Sequence, residues 1–363
     1  MPEPAIVLAD GCFREPRGKV AHGLVRGGDR FTVRAVVDHT LAGRDAGAVL
    51  DGSVRGIPIV TDVAEAIRSA PEATVAIVGE APHGGRLTEA LRIQLRQCAA
   101  AGLNLVSGLH DLLCDDPELS ALAAAKGSSI TDVRRTPPAR ELRFWDGSVY
   151  AVRAKRISVL GTDCMVGKRT TARMLTDELN RRGYRTEMIY TGQTGWMQGN
   201  RYGIVYDALI ADFNSGELEG AIVACANDID PDVMVIEGQG SLRNPSGPCG
   251  ADLILSAAVS GVVLQHAPAR SHFHGLEHLE QCRLPSLASE IELIRQYGAA
   301  VLAVVLNLTD VAQSAGAELI AGCRTQCGGV PVIEDLLGDG AGGVEALADL
   351  VADALLPEQQ SDR

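Results

Sequence analysis

The residues best suited to chemistry form one run, Gly161-Thr162-Asp163-Cys164-Met165-Val166-Gly167-Lys168-Arg169-Thr170. A β-branched apolar stretch, 157–160, precedes it, and a helix-forming stretch through Met174, Leu175 and Leu179 follows. Glycines at both ends let the backbone curl so that successive N–H groups point inward. The next helix offers its positive end and Lys168 adds a mobile cation, which together make a phosphate-binding loop. Five residues lie between Gly161 and Gly167, one more than the common pattern. Arg169 stands where a Ser or Thr hydroxyl would ligate Mg²⁺, and a guanidinium has no lone pair for a metal. The loop thus suits a phosphate held by positive charge, no metal is expected, and Thr170 is the hydroxyl that would have to substitute if one bound.

Three further groups fall where a ligand could meet them. Glu237 ends the apolar run 232–236 and precedes Gly238-Gln239-Gly240-Ser241. Such a strand lies beside the phosphate loop in nucleotide hydrolases, so Glu237 is a candidate base, with simple pairing to Lys168 as the plainer role. Thr191-Gly192-Gln193-Thr194-Gly195 follows a strand at 186–190 and reads as a loop offering amides and hydroxyls to a small polar ligand, with Arg201 close behind. Residues 206–216 read as a helix stopped by Gly216, and Asp207 and Asp212 on it are surface charges or, for Asp207 above all, catalytic acids. The third group holds four of the eight histidines, His266, His272, His274 and His278, around Arg270. A cation among them would neighbour a guanidinium. The better reading is an anion-recognising loop, with Arg270 gripping a substrate carboxylate bidentately and His266 accepting a proton. Cys164 is either a nucleophile activated by the helix terminus or a small side chain packed under the loop, and the lack of a base beside it in sequence favours packing.

These groups need a frame. The chain has 363 residues, 46% of them hydrophobic, enough for two domains with a core each. Residues 1–133 alternate apolar strands at 5–9, 33–37, 74–78 and 103–106 with helical stretches at 63–69 and 87–101, the pattern of a parallel, Rossmann-like open sheet. Asp38 stands where a dinucleotide-binding sheet places its ribose carboxylate, yet Asp10-Gly11-Cys12-Phe13-Arg14 lacks the G-x-G-x-x-G that lets a pyrophosphate approach. Asp38 is therefore read as a strand-end turn residue, and His83 and His110 as caps of the helices that follow them. Arg134-Arg135-Thr136-Pro137-Pro138 cannot continue a helix, so residues 134–146 read as a linker, with a short hairpin near Trp145. Residues 147–363 form the second α/β domain, with further strands at 261–264, 301–306 and 330–333 and helices at 290–297 and 344–355.

Composition narrows the partners. A net charge of −13 without a basic run argues against nucleic acid and anionic membrane. Nine scattered cysteines with no CxxC pair argue against a disulfide framework. No charged-then-apolar leader opens the chain and no apolar run could span a bilayer, so a cytoplasmic location is expected.

With these residues placed, the chain resembles the two-domain family that includes D-glutamate N-acetyltransferases. The blocks that carry the resemblance are Gly161-Thr162-Asp163-Cys164-x-Val166-Gly167-Lys168, Tyr190-Thr191-Gly192-Gln193-Thr194-Gly195, Glu237-Gly238-Gln239-Gly240-Ser241-Leu242 and His266-Ala267-Pro268-x-Arg270. The first and third also look like dethiobiotin synthetase, whose phosphate loop is similarly long. The resemblance implies a Rossmann-like domain followed by a P-loop-type domain. It implies acetyl transfer from acetyl-CoA, as co-substrate, to the amino group of an acidic D-amino acid, D-glutamate first among them. On that reading residues 161–170 hold the coenzyme, Thr191, Gly192, Gln193, Thr194, Arg201, Gln239, Ser241 and Arg270 hold the acceptor, and Glu237 or His266 takes the proton. A homo-oligomer is expected. The alternative is an ATP- and Mg-dependent ligase or carboxylase of the dethiobiotin-synthetase type, in which Thr170 and Glu237 bind Mg²⁺ and Asn307 reads adenine. One departure stands out: the family has a histidine before the proline that follows the Gly-Gln-Gly-Ser block, and here the segment is Arg243-Asn244-Pro245-Ser246.

Overall fold

The computed structural model describes residues 1–309, 311–312, 314–336 and 343–356. They fall into two compact units, residues 1–137 with 192–201, and residues 138–191 with 202–363.

The first unit is a six-stranded parallel sheet of β1 (Glu3–Leu8), β2 (Phe31–Val37), β3 (Ile59–Val60), β4 (Val75–Val78), β5 (Asn104–Ser107) and β6 (Ile130–Asp132), in the order β3-β2-β1-β4-β5-β6. Both faces are covered. Phe13, Val20, Leu24, Val33 and Ile77 pack one side, and Ile6, Leu8, Leu91, Leu95 and Leu105 the other. This accounts for continuous apolar strands without alternation. The order reverses between β1 and β4, as in a Rossmann-like sheet. The two-residue β3 and three-residue β6 carry too little apolar periodicity to stand out in sequence.

Asp38 is fully buried. Its carboxylate accepts the N–H of Phe13 at 2.9 Å and the N–H and hydroxyl of Thr40 at 2.9 and 2.6 Å. It is a turn residue, as the missing glycine fingerprint led one to expect. The helix caps differ from expectation: Thr88 caps Glu89–Ala100 and Asp116 caps Pro117–Lys126, because a short oxygen reaches the N3 amide. His110 instead lies against Gly85.

The segment 192–201, expected as a loop, is the short helix Gln193–Gln198, closed by Gly199 in a left-handed conformation. Within the first unit, Gln198 donates to the Gly23 and Gly27 carbonyls, and Arg30 stacks on Trp196 at 4.0 Å while donating to its carbonyl.

The second unit is a seven-stranded parallel sheet of β7 (Lys155–Gly161), β8 (Thr186–Tyr190), β9 (Tyr202–Gly203), β10 (Val233–Glu237), β11 (Gly261–His266), β12 (Val301–Leu306) and β13 (Val332–Ile333), in the order β13-β12-β11-β7-β10-β8-β9. Apolar side chains of both faces pack under helices. Central β7 lies between β10 and β11, with Glu237 opposite Val159 and Gln265 opposite Gly161. All strands run the same way, so the loops after β7, β10, β11 and β12 collect at one edge, where α/β sheets bind ligands.

Two expectations fail here for a common reason. Gly216 does not stop a helix: Ala211–Ile229 runs through it and through Gly220. A Cβ on Gly216 would lie 2.1 Å from the Arg143 carbonyl oxygen, and one on Gly220 2.3 Å from the Arg143 guanidinium. The missing side chains let residues 143–146 lie directly on the helix, and the expected hairpin near Trp145 is this strap followed by a 3-10 turn at Ser148–Ala151. Among the described residues no helix is long and apolar enough to cross a membrane.

Candidate active site

The loop after β7 closes on the helix Lys168–Arg181 through Gly167, whose φ of +109° is open to glycine alone among common residues. Lys168 is buried, and its ammonium donates to the carbonyls of Asp163 and Gly240 at 2.8 Å each. Its alkyl stem runs past Gly238, where a Cβ would sit 2.9 Å from Lys168 Cδ and 2.2 Å from the Val159 oxygen. Gly238 leaves the lysine that channel, and Gly240, with a φ of +48°, clears the Gly247 carbonyl oxygen.

Asp163, read in sequence as one of several coenzyme-binding positions, is the hub of the loop. It is fully buried with four donors on its two oxygens. Oδ1 accepts the Cys164 N–H at 2.7 Å and Asn244 Nδ2 at 3.1 Å, and Oδ2 accepts Arg270 Nη1 at 2.9 Å and the His274 N–H at 2.8 Å. Arg270 also donates to the carbonyls of Cys164 at 2.7 Å and Met165 at 3.2 Å. Met165 has a φ of 55°, unfavourable for a side chain with a Cβ by roughly 1–2 kcal/mol, and the clip on its carbonyl helps hold it there. Arg270, expected to grip a substrate carboxylate, donates three bonds to the loop through Nη1 and Nη2. A buried carboxylate within reach is a stronger partner than a solvated ligand, and sequence spacing could not show that the two meet.

Neighbouring strands brace the rest. Thr162 donates its N–H to the Gln265 carbonyl at 3.0 Å, and its hydroxyl shares a hydrogen bond with His266 Nδ1 at 2.9 Å. Thr171 donates to Gln265 Oε1 at 2.6 Å, and Asn307 Nδ2 to the Val166 carbonyl at 3.0 Å. Asn307 therefore buttresses the loop in this structure. Cys164 is half-buried with the Asn244 amide 3.6 Å from its sulfur, and Ser241 accepts the Asn244 N–H at 3.1 Å as part of a turn.

Glu237 is 4% exposed at the end of β10. Its carboxylate accepts the Thr191 N–H at 3.1 Å, and its own carbonyl accepts the Thr191 hydroxyl at 2.8 Å. Gln239 adds a bond to the Thr191 carbonyl at 3.0 Å. Burial draws the Arg169 guanidinium below its ordinary range, while the charge of Glu237 opposes the shift. So Lys168, Arg169, Thr191, Glu237, Gln239, Thr162 and His266 converge at one sheet edge. Gly192, Gln193, Thr194 and Arg201 belong to the first unit, and there Gln193 accepts from Arg134 at 3.1 Å and Thr194 is buried.

Asn244, which carries no signal in the sequence, is fully buried and joins the turn Ser241–Ser246 to Asp163 and Cys164. Arg243 beside it turns away to Ser289 and to Glu290, 3.4 Å from its Nε.

Two groups near this edge, His266 half-buried and Glu290 buried, titrate in opposite senses. Burial pushes His266 down to about 4, and burial pushes Glu290 up to about 7 against the pull of Arg243. The His266 contribution is present above its unfolded value of about 6.5 and is lost as pH falls towards 4. The Glu290 contribution is present below about 4.5 and is lost as pH rises through 7. Each amounts to about 2 kcal/mol between pH 6.5 and 4.5, with opposite sign, so they nearly cancel. Glu290→Gln removes one of them. Its urea-derived stability should fall by about 2 kcal/mol more than that of the unaltered chain over this interval; parallel profiles would contradict the assignment.

Comparison with known proteins places this geometry. Residues 143–343 match a family model described as "Domain of unknown function (DUF1611_C) P-loop domain", and residues 39–136 match its partner, "(DUF1611_N) Rossmann-like domain". A protein of Tritonibacter scottomollicae named D-glutamate N-acetyltransferase is 37% identical over 212 residues, spanning 58% of this chain and 60% of that protein. Another of the same name from Pseudoalteromonas sp is 30% identical over 284 residues, 74% of this chain and 80% of that one. The crystal structure of a DUF1611 family protein from Anabaena variabilis ATCC 29413 is similar with a TM-score of 0.85 and 29% identity, covering 97% of this chain and 99% of that one. A Rossmann-like parallel sheet, a P-loop parallel sheet and these matches lead to one assignment: the chain belongs to the DUF1611 family.

Proposed function

We propose that the protein is an amino-acid N-acetyltransferase that moves acetyl from acetyl-CoA to the amino group of an acidic D-amino acid, D-glutamate being the first choice. The observation that carries the reading is the pairing of a phosphate loop with Arg169 at the position of the metal-binding hydroxyl, where the charge of Glu237 acts on the guanidinium. Two relatives named D-glutamate N-acetyltransferase support it. Lys168, Arg169 and the phosphate loop 161–170 that carries them hold the phosphates of the coenzyme. Glu237, oriented by Thr191, accepts a proton from the acceptor's ammonium, and His266, neutral at pH 7, is the second choice for that task. The freed amine attacks the thioester carbonyl, the tetrahedral adduct expels the coenzyme A thiolate, and the thiolate takes up a proton. Fixed placement of both substrates supplies much of the rate.

The test is coenzyme A release from acetyl-CoA with D-glutamate, L-glutamate and D-aspartate, with and without Mg²⁺. Metal-independent release with an acidic D-amino acid is expected. Absence of turnover with every acidic amino acid, or Mg-dependent ADP formation from ATP, would overturn the reading.

A further inference from the structure

Only 4% of the residues are aromatic, yet a short stretch of the second unit leaves several in the open. Phe144 is 67% exposed, Tyr150 70% and Trp145 38%, and Ile210 and Leu255 are exposed as well. The rings on the strap adjoin one another. Phe144 lies on Phe213, ring centroids 4.6 Å apart, Trp145 meets Tyr150 edge-on at 5.8 Å, and the Trp145 indole donates to the Ser256 carbonyl at 3.0 Å. Each ring is anchored: the strap that carries Phe144 and Trp145 is fixed to the helix Ala211–Ile229 by its amides, Arg143 N to Glu217 at 2.7 Å and Asp146 N to Glu219 at 2.8 Å. Holding large apolar rings rigidly in water has no folding benefit, since it gives up side-chain freedom without burial.

We propose that this face is a twofold interface with a second copy of the chain. Three observations select that occupant. The apolar surface on offer is on the order of 500 Å², a large share of the roughly 800 Å² that each partner contributes to a standard interface. The face carries both a projection and a recess. Tyr150 stands out from it, and beside Phe144 a cavity of about 510 Å³ opens over Gly220, Val223 and Ala224, with Asp146, Glu219 and Asn227 at its polar side, a lining suited to a phenol. A twofold axis sets each copy's projection against the other's recess, as a self-complementary contact requires. The charges around the patch have both signs, Arg140 beside Glu141 at 3.3 Å and Arg143 beside Asp146, so two copies can oppose them favourably even though each chain carries −13 overall. The composition, aromatics and arginine without lysine from residue 140 to 150, is that of an interface centre.

The full chain should sediment as a dimer at about 50 µM and dissociate on dilution. The double variant Phe144→Glu, Tyr150→Glu should remain monomeric, with at least a 100-fold weaker association and an unchanged circular dichroism spectrum. An unaltered chain that is monomeric throughout overturns the proposal and leaves the face to a different protein. An oligomer that survives the double variant overturns it too. Should the variant fail to fold, hydrogen exchange on the unaltered chain decides: peptides from 142–150 should gain protection as concentration rises, and concentration-independent exchange there would refute the interface.

Discussion

Replacing Lys168 by methionine is expected to reduce kcat/KM for coenzyme A release by about 10²–10³-fold while the chain stays folded. Methionine keeps a linear apolar stem for the channel beside Gly238 and removes the charge alone. What is lost is a buried cation, and burial makes a charge-assisted bond to phosphate strong. The ammonium also satisfies the Asp163 and Gly240 carbonyls, so a loss of stability of about 1–3 kcal/mol is expected alongside. Steady-state kinetics and calorimetric titration with acetyl-CoA separate the two effects. Turnover within threefold of the unaltered enzyme would show that the loop does not bind the donor.

The largest effect on stability is expected from Asp163→Ala. Four donors converge on that carboxylate, one of them the Arg270 guanidinium, itself mostly out of water. Removing the acceptor leaves a buried cation and a buried amide without it, and breaking such a pair from one side costs about 3–5 kcal/mol. Asp163→Asn retains the size and one acceptor and should cost less. The check is chemical denaturation followed in the second unit, together with the protease sensitivity of residues 161–170. A loss under about 1 kcal/mol for the alanine variant would mean that the hub does not hold the loop.

Much of this architecture was legible in the chain because its strands are long, apolar and regularly spaced. The strands at 186–190 and 301–306 and the helices at 63–69 and 344–355 coincide with the observed elements. The places where reading failed share one cause: the deciding partner is distant in sequence. Gly216 reads as a helix stop until Arg143 and Phe144 are seen lying on it. The bond of Arg270 to Asp163, more than a hundred residues earlier, is invisible in the sequence for the same reason. Residues 193–198 read as a loop because glycine and small polar groups suppress helical propensity, and a six-residue helix depends on packing for its existence. Within the site, the sequence marks the residues at the sheet edge, Lys168 and Glu237 among them, but a brace such as Asn244 or Gln265 carries no local signature. Ordinary amides acquire meaning only through what they hold.

That bracing bears on which donors the loop can accept. Bonds to Gln265, His266, Asn307, Asn244 and Arg270 fasten it from several directions. A cradle tied in this way has little slack with which to follow a shorter guest. On the proposed function, truncating the coenzyme to a pantetheine thioester that lacks the diphosphate should therefore forfeit the anchoring outright.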